Sequence, residues 1–371
     1  MASFDDLKIY ADIDRAAKTN LLFGNGLSIG VRTAFSYPSL KSVALAENFL
    51  RIDDSQLFDK LGTSDFEMLM RRLKETSEIN KLLDLPFEPL NTKYDSIKNA
   101  LISTVRFVHP RYDDVNYHWM RAVALELRSF KQIFTTNYDL LLYWILGSED
   151  FIGFTDFFWS NRLRFDPFNT EKWSDDIEVY YLHGALFMFT LARAIRKLER
   201  SKVNSLLDHI GGRIFLSKEL PVFVSEGRFT EKMNSITQNS YLNFAFRALN
   251  DMHSGLTIYG HSLDEDADRH ILRSINNNAE LRTLAVSIYV PSGRSEEEVG
   301  SDMQEYERKL RPFVSKGGGL EFYRFDTSPF YYDPTELTPV ISASPTRPVV
   351  TLPARPQPSI DEFPADEDLP F

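Results

Sequence analysis

His183 follows the apolar run Val179 to Leu182 and precedes Gly184. An imidazole there titrates near neutrality at a point the backbone lets a ligand approach, so it can take a proton from a hydroxyl or a water. A satisfied structural histidine is the competing reading. Thr135-Thr136-Asn137-Tyr138-Asp139 puts three hydrogen-bonding side chains and a carboxylate ahead of the apolar segment Leu140 to Leu146. Such a cluster can orient a polar ligand, and it can equally cap the helix that follows. Gly24-Asn25-Gly26-Leu27-Ser28 has the composition of a phosphate-binding turn, where glycines admit the ligand close to the backbone. It departs from the dinucleotide fingerprint, because Ile29 stands where a third glycine is required and Gly30 comes one residue late. Gly260-His261-Ser262-Leu263 offers backbone donors and a hydroxyl, followed by Asp264, Glu265, Asp266 and Asp268. These carboxylates suit the first turn of a helix and would point around it rather than at one centre, so no metal site is expected.

All four clusters end short apolar runs: Leu21 to Phe23, Gln132 to Phe134, Val179 to Leu182 and Leu256 to Tyr259. Helical patterns separate the runs, and two further runs, Leu284 to Val290 and Leu320 to Phe325, extend the series. The pattern predicts an α/β fold with a Rossmann-like, doubly wound parallel sheet, whose ligand crevice lies outside the carboxyl ends of the strands. Residues 1–328 are expected to form that domain, with helical insertions at about 31–131 and 185–215. The first insertion includes helices over Asp65 to Leu73 and Val115 to Leu127, the former capped by Ser64 with Glu67 completing a capping box. The second carries a basic run, Arg193, Arg196, Lys197, Arg200 and Lys202, which reads as a solvated helix face. Ten of the 18 prolines fall from Pro329 onward, so 329–371 is expected to be a disordered Pro-rich acidic tail.

Composition narrows the chemistry further. The chain has 371 residues, 43% of them hydrophobic, and no cysteine, which removes thiol nucleophiles, disulfides and cysteine-ligated zinc. Lys and Arg total 42 against 53 Asp and Glu, and a formal charge of −11 disfavours phosphate backbones, so nucleic-acid binding is not expected. No apolar stretch reaches membrane-span length and the amino-terminal segment does not read as a signal, so a cytoplasmic protein with no membrane partner is expected.

Taken in order, the motifs Gly24-Asn25-Gly26-Leu27-Ser28, Thr135 to Asp139, Leu182-His183-Gly184 and Gly260-His261-Ser262-Leu263 resemble those of the sirtuin superfamily, and more closely those of the bacterial sirtuin-like NAD hydrolases of antiphage defence. The resemblance spans roughly Leu21 to Phe325. It implies that Asn137 positions a water and the nicotinamide ribose and that His183 is the catalytic base. It also implies that Gly24, Asn25, Gly26, Ser28, Thr136, Asp139, Gly260 and Ser262 bind the dinucleotide, with Asp139 on the nicotinamide side. The implied activity is cleavage of NAD to nicotinamide and ADP-ribose, with no cofactor beyond NAD as substrate. A protein deacylase of that superfamily needs a four-cysteine zinc ribbon, which this chain cannot build. Asn25 replaces the usual alanine and the spacing from Asp139 to His183 is long. The Ser64-Asp65-Phe66-Glu67 segment resembles one common in these defence proteins, without an assigned role for Asp65 or Glu67. Two other functions fit the same motifs: a non-catalytic NAD or ADP-ribose sensor, and an ADP-ribosyltransferase. Control of an NAD-depleting enzyme implies a homo-oligomer, a partner defence protein acting as sensor or ATPase, or both, and the 29 phenylalanines suit such contacts.

Overall fold

The computed structural model describes residues 3–333 except 37–39, 65, 160–162, 169–175, 192–193, 199–205, 208, 212–220 and 224–228. Its centre is an eight-stranded sheet in which every neighbouring pair is parallel. In chain order the strands are β1 (Leu7–Lys8), β2 (Asn20–Phe23), β3 (Gln132–Thr135), β4 (Phe154–Thr155), β7 (Ile177–Tyr181), β11 (Ser254–Tyr259), β12 (Leu281–Ile288) and β13 (Gly319–Arg324). Their order across the sheet is β1-β13-β12-β11-β2-β3-β7-β4. From β2 the chain builds outward one way through β3 and β7, and later the other way through β11, β12 and β13. The order therefore reverses between β2 and β11, the position where doubly wound sheets open a ligand crevice. This is the Rossmann-like α/β architecture expected from the sequence, and all six expected runs lie in it. β2 is buried at every position, as a central parallel strand covered on both faces must be.

Between β2 and β3 the first insertion is helical, as expected. It contains α1 (Gly26–Val31), α2 (Leu40–Ala46), α3 (Ile52–Leu61), α4 (Phe66–Leu82), α5 (Glu88–Val108) and α6 (Tyr117–Leu127). α4 buries Phe66, Leu69, Met70 and Leu73, one stripe at helical spacing, and packs along α5, which buries Ile97, Leu101, Val105 and Val108. α6 starts two residues later than expected because the Asn116 side chain accepts from the amides of His118 and Trp119 and so sets the cap. The capping box proposed for Ser64 and Glu67 rests on Asp65 and on the Glu67 side chain, which lie outside the described residues.

The second insertion is a correction. Where a helix was expected at 185–215, the chain first forms β8 (Gly184–Leu191) and β9 (Ala194–Lys197), and among the described residues only 206–207 and 209–211 are helical. With β5 (Phe158–Trp159), β6 (Arg164–Phe165) and β10 (Pro221–Phe223) they make an antiparallel sheet of order β10-β8-β9-β6-β5. Ala185, Leu186, Phe187, Met188 and Phe189 are all buried, so β8 carries no alternation to betray it. Arg196 and Lys197 accordingly sit on a strand, and Lys197 pairs with Asp156 at 2.7 Å. The domain boundary also moves. Phe330 is buried and packs edge-on against Phe23 at 5.0 Å, while Tyr332 meets Trp119 at 5.0 Å, so residues 329–333 belong to the compact unit Met1–Thr335. The tail beyond residue 333 lies outside the described residues. No described helix is long and apolar enough to cross a membrane.

Candidate functional site

The four motifs meet at the carboxyl ends of β11, β2, β3 and β7, which are consecutive in the sheet. Backbone bonds carry the ladder past the strand ends and hold the loops in register: Gly24 donates to Tyr259, Thr136 to Phe23 and Leu182 to Thr135. At the β2/β11 seam the two glycine loops touch backbone to backbone. A Cβ on Gly24 would lie 2.4 Å from the Gly260 carbonyl oxygen, and one on Gly26 would lie 2.5 Å from the Gly260 Cα. The Gly26 amide donates to the Gly260 carbonyl at 2.8 Å. Close packing of two loops thus explains glycine here as directly as ligand approach does. Asn25 is exposed and donates from its side chain to the Phe35 carbonyl.

Three expected residues lock together. The Asn137 amide donates to Ser28 Oγ at 2.8 Å, and Ser28 Oγ donates to Asp139 Oδ2 at 2.5 Å. Asp139 Oδ1 accepts the Leu141 amide at the start of α7 (Leu141–Gly147), so its capping role and its place in the site coexist. His109, from the helical insertion, is a buried neighbour that the sequence did not reveal. Its Nε2 accepts the Leu140 amide at 2.8 Å and its Nδ1 faces the Pro110 carbonyl at 2.8 Å, which fixes the proton on Nδ1. Burial holds this imidazole below its ordinary range, against the pull of Asp139. Thr136 is half-buried and reaches the Phe23 carbonyl, whereas Ser262 is exposed and its carbonyl accepts Lys309 Nζ at 3.0 Å.

His183 joins a different group. Gly184, at φ +75°, turns the chain immediately after it. The ring is buried, and its Nε2 lies 2.8 Å from Nε2 of His270, on α10 (Arg269–Asn277). Asp268 stands beside both, 4.0 Å from His183 Nε2, 3.8 Å from His261 Nε2 and 3.4 Å from Lys232 Nζ, which α8 (Phe229–Gln238) carries in. Burial pushes His183 well below the usual imidazole range, reinforced by Lys232 and His270, and holds His270 at about 4. Burial alone would raise Asp268, but His261, His183 and Lys232 overcome it and keep the carboxyl at about 2. The helix start expected near Asp264 is displaced: Asp264 caps a turn through the Asp266 and Ala267 amides, and α10 begins only at Arg269. That displacement is what frees Asp268 to face inward. Ligand atoms of His183, Asp268 and His270 fall within 4.8 Å of one another, as a metal site would require. The details favour a hydrogen-bonded cluster: two imidazoles on one tetrahedral zinc stand about 3.3 Å apart, and the Lys232 ammonium already faces the carboxylate.

Site and sheet together define a Rossmann-like α/β protein with a polar cluster at its topological switch point. The chain belongs to the family described as Domain of unknown function (DUF4917), whose model matches residues 21–310. A solved structure described as "Structural Basis for the Mechanism and Regulation of Sir2 Enzymes" is similar at 11% identity and a TM-score of 0.27, over 81% of this chain and 95% of that one. No curated protein matches the sequence.

Proposed function

We propose that the protein is an NAD glycohydrolase, breaking the bond between the nicotinamide nitrogen and the ribose C1′ and giving that carbon to water. The observation that carries this reading is the convergence of four motifs, distant in sequence, on consecutive strand ends, with Ser28, Asn137 and Asp139 interlocked and His183 just past the end of the neighbouring strand β7. Nicotinamide leaves as a neutral ring with the bonding electrons, so the site's tasks are to orient the ribose and stabilise an oxocarbenium-like transition state. Asn137 gives its amide hydrogen to Ser28, which leaves Oδ1 to accept from the water or a ribose hydroxyl. His183, neutral in its buried setting, takes the proton the attacking water loses. The reading calls for no cofactor beyond NAD and for no zinc, and it sets the chain apart from zinc-dependent deacetylases. We extend it to an NAD-depleting effector of cytoplasmic antiphage defence, restrained in a homo-oligomer or by a partner sensor or ATPase. Wild-type chain, and not Asn137→Ala, should then lower cellular NAD after infection.

The direct test incubates the purified full chain with NAD and quantifies products by chromatography. Nicotinamide and ADP-ribose should appear in equal amounts, and Asn137→Ala and His183→Ala should each lower the rate about 10²- to 10⁴-fold with the fold intact. One observation favours a sensing module instead: His183 is 5% exposed and its Nε2 is engaged by His270. Saturable binding that returns NAD unchanged after long incubation would establish that second reading, and ADP-ribose attached to a macromolecule would establish a transferase.

A further inference from the structure

Two buried nitrogens in the His183 group have no hydrogen-bond partner among the described residues: His261 Nε2 and His270 Nδ1. His261 Nδ1 accepts the Leu263 amide at 3.0 Å, so its proton is on Nε2, 3.8 Å from Asp268 Oδ2. Asp268 is therefore ringed by donors: the His261 Nε2 hydrogen, the Lys232 ammonium and, at 4.0 Å, His183 Nε2. A bare lone pair on His183 Nε2 would face this carboxylate unfavourably, whereas an Nε2–H is drawn to it. The 2.8 Å contact between the two Nε2 atoms requires one to donate and the other to accept. With the hydrogen on His183, the His270 lone pair accepts it.

We infer that His270 is a positioning residue that accepts the His183 Nε2 hydrogen and thereby fixes Nδ1 of His183 as the basic atom, with Asp268 behind the pair as its counter-charge. The inference rests on the reading of His183 as the base and deepens it. During turnover the water's proton passes to His183 Nδ1 while Nε2–H stays donated to His270, so the imidazolium forms already hydrogen-bonded and 4.0 Å from a carboxylate. The proton returns to solvent from Nδ1 after the products leave. Aligning one imidazole with a second is the same physical device as orienting it with a carboxylate: the wrong tautomer presents an N–H where a lone pair is needed.

Two measurements test this. In the full chain labelled at histidine, a nitrogen–proton correlation spectrum should show His183 protonated at Nε2, its signals assigned by their loss in His183→Ala; protonation at Nδ1 overturns the inference. This arm needs no turnover, so it stands or falls separately from the NAD hydrolase reading. Kinetically, His270→Ala should lower kcat about 10- to 100-fold, the loss typical of removing a partner that orients a functional imidazole, with KM for NAD changed less than about threefold. His270→Gln, whose carboxamide oxygen can accept the same hydrogen, should regain most of that loss. A folded His270→Gln as slow as His270→Ala would overturn the proposal, as would an unchanged kcat in His270→Ala.

Discussion

The two halves of the site are built on opposite plans. The amide half, Ser28, Asn137 and Asp139, is a chain of short hydrogen bonds whose members sit at the start of α1 after β2 and on the loop after β3. The imidazole half gathers His183, His261, Asp268, His270 and Lys232 from four separate segments around one carboxylate. The first is neutral hydrogen bonding plus one capped acid. The second balances a half-buried anion against a buried ammonium and three histidines held neutral. Geometry decides what the first can do, and charge decides what the second can do.

Asn137→Asp breaks the comparison most sharply. It is nearly isosteric, yet it removes the hydrogen given to Ser28 and sets a second carboxyl beside Asp139. On the NAD hydrolase reading, cleavage should fall about 10²- to 10³-fold, as when one preorganised amide donor is lost, while proton binding by the imidazole half is untouched; initial-rate assays read the first effect and histidine titration the second. Acid should strike the other half. His270 titrates at about 4 in the folded chain against 6.5 ordinarily, so the unfolded state binds more protons between those values and stability is lost as pH falls from 6.5 toward 4. Asp268, held at about 2, adds a further loss as pH drops below 3.8. The histidine contribution is on the order of 3 kcal/mol. Urea unfolding midpoints across that range should decline in the wild type and less steeply in His270→Gln. The smallest effect tests the seam. Gly24→Ala drives a Cβ into the backbone of the Gly260 loop and should cost about 1–3 kcal/mol in thermal or urea unfolding, with both halves disturbed because the Gly24 loop leads into Ser28 and the Gly260 loop into His261.

The amide half was legible because each of its residues follows directly on a hydrophobic run that ends in small polar residues, and a parallel strand delivers whatever follows it to the crevice. Asn137, Asp139 and Ser28 needed no long-range information to be singled out. His183 was legible for the same reason, but its partners were not. Asp268 looked like one of several carboxylates at a helix start, and only the turn capped by Asp264 shows that the helix begins later and leaves Asp268 pointing inward. His109 follows the end of α5 and Lys232 lies on α8, and no motif in the sequence marks either. Strand β8 was hidden by a run buried on both faces, which a helix interior would match equally well, and β9 by basic residues that read as a helix face.

What the sequence determined by itself was the parallel sheet, the order of its motifs and the chemical types at each strand end, because apolar run length and the residues that stop it are local properties. Tertiary structure alone decided which of those groups face one another. The pairing of His183 with His270, the convergence on Asp268 and the antiparallel sheet depend on contacts between segments far apart in the chain, where packing and the requirement that buried charge be paired, rather than local preference, choose the partner.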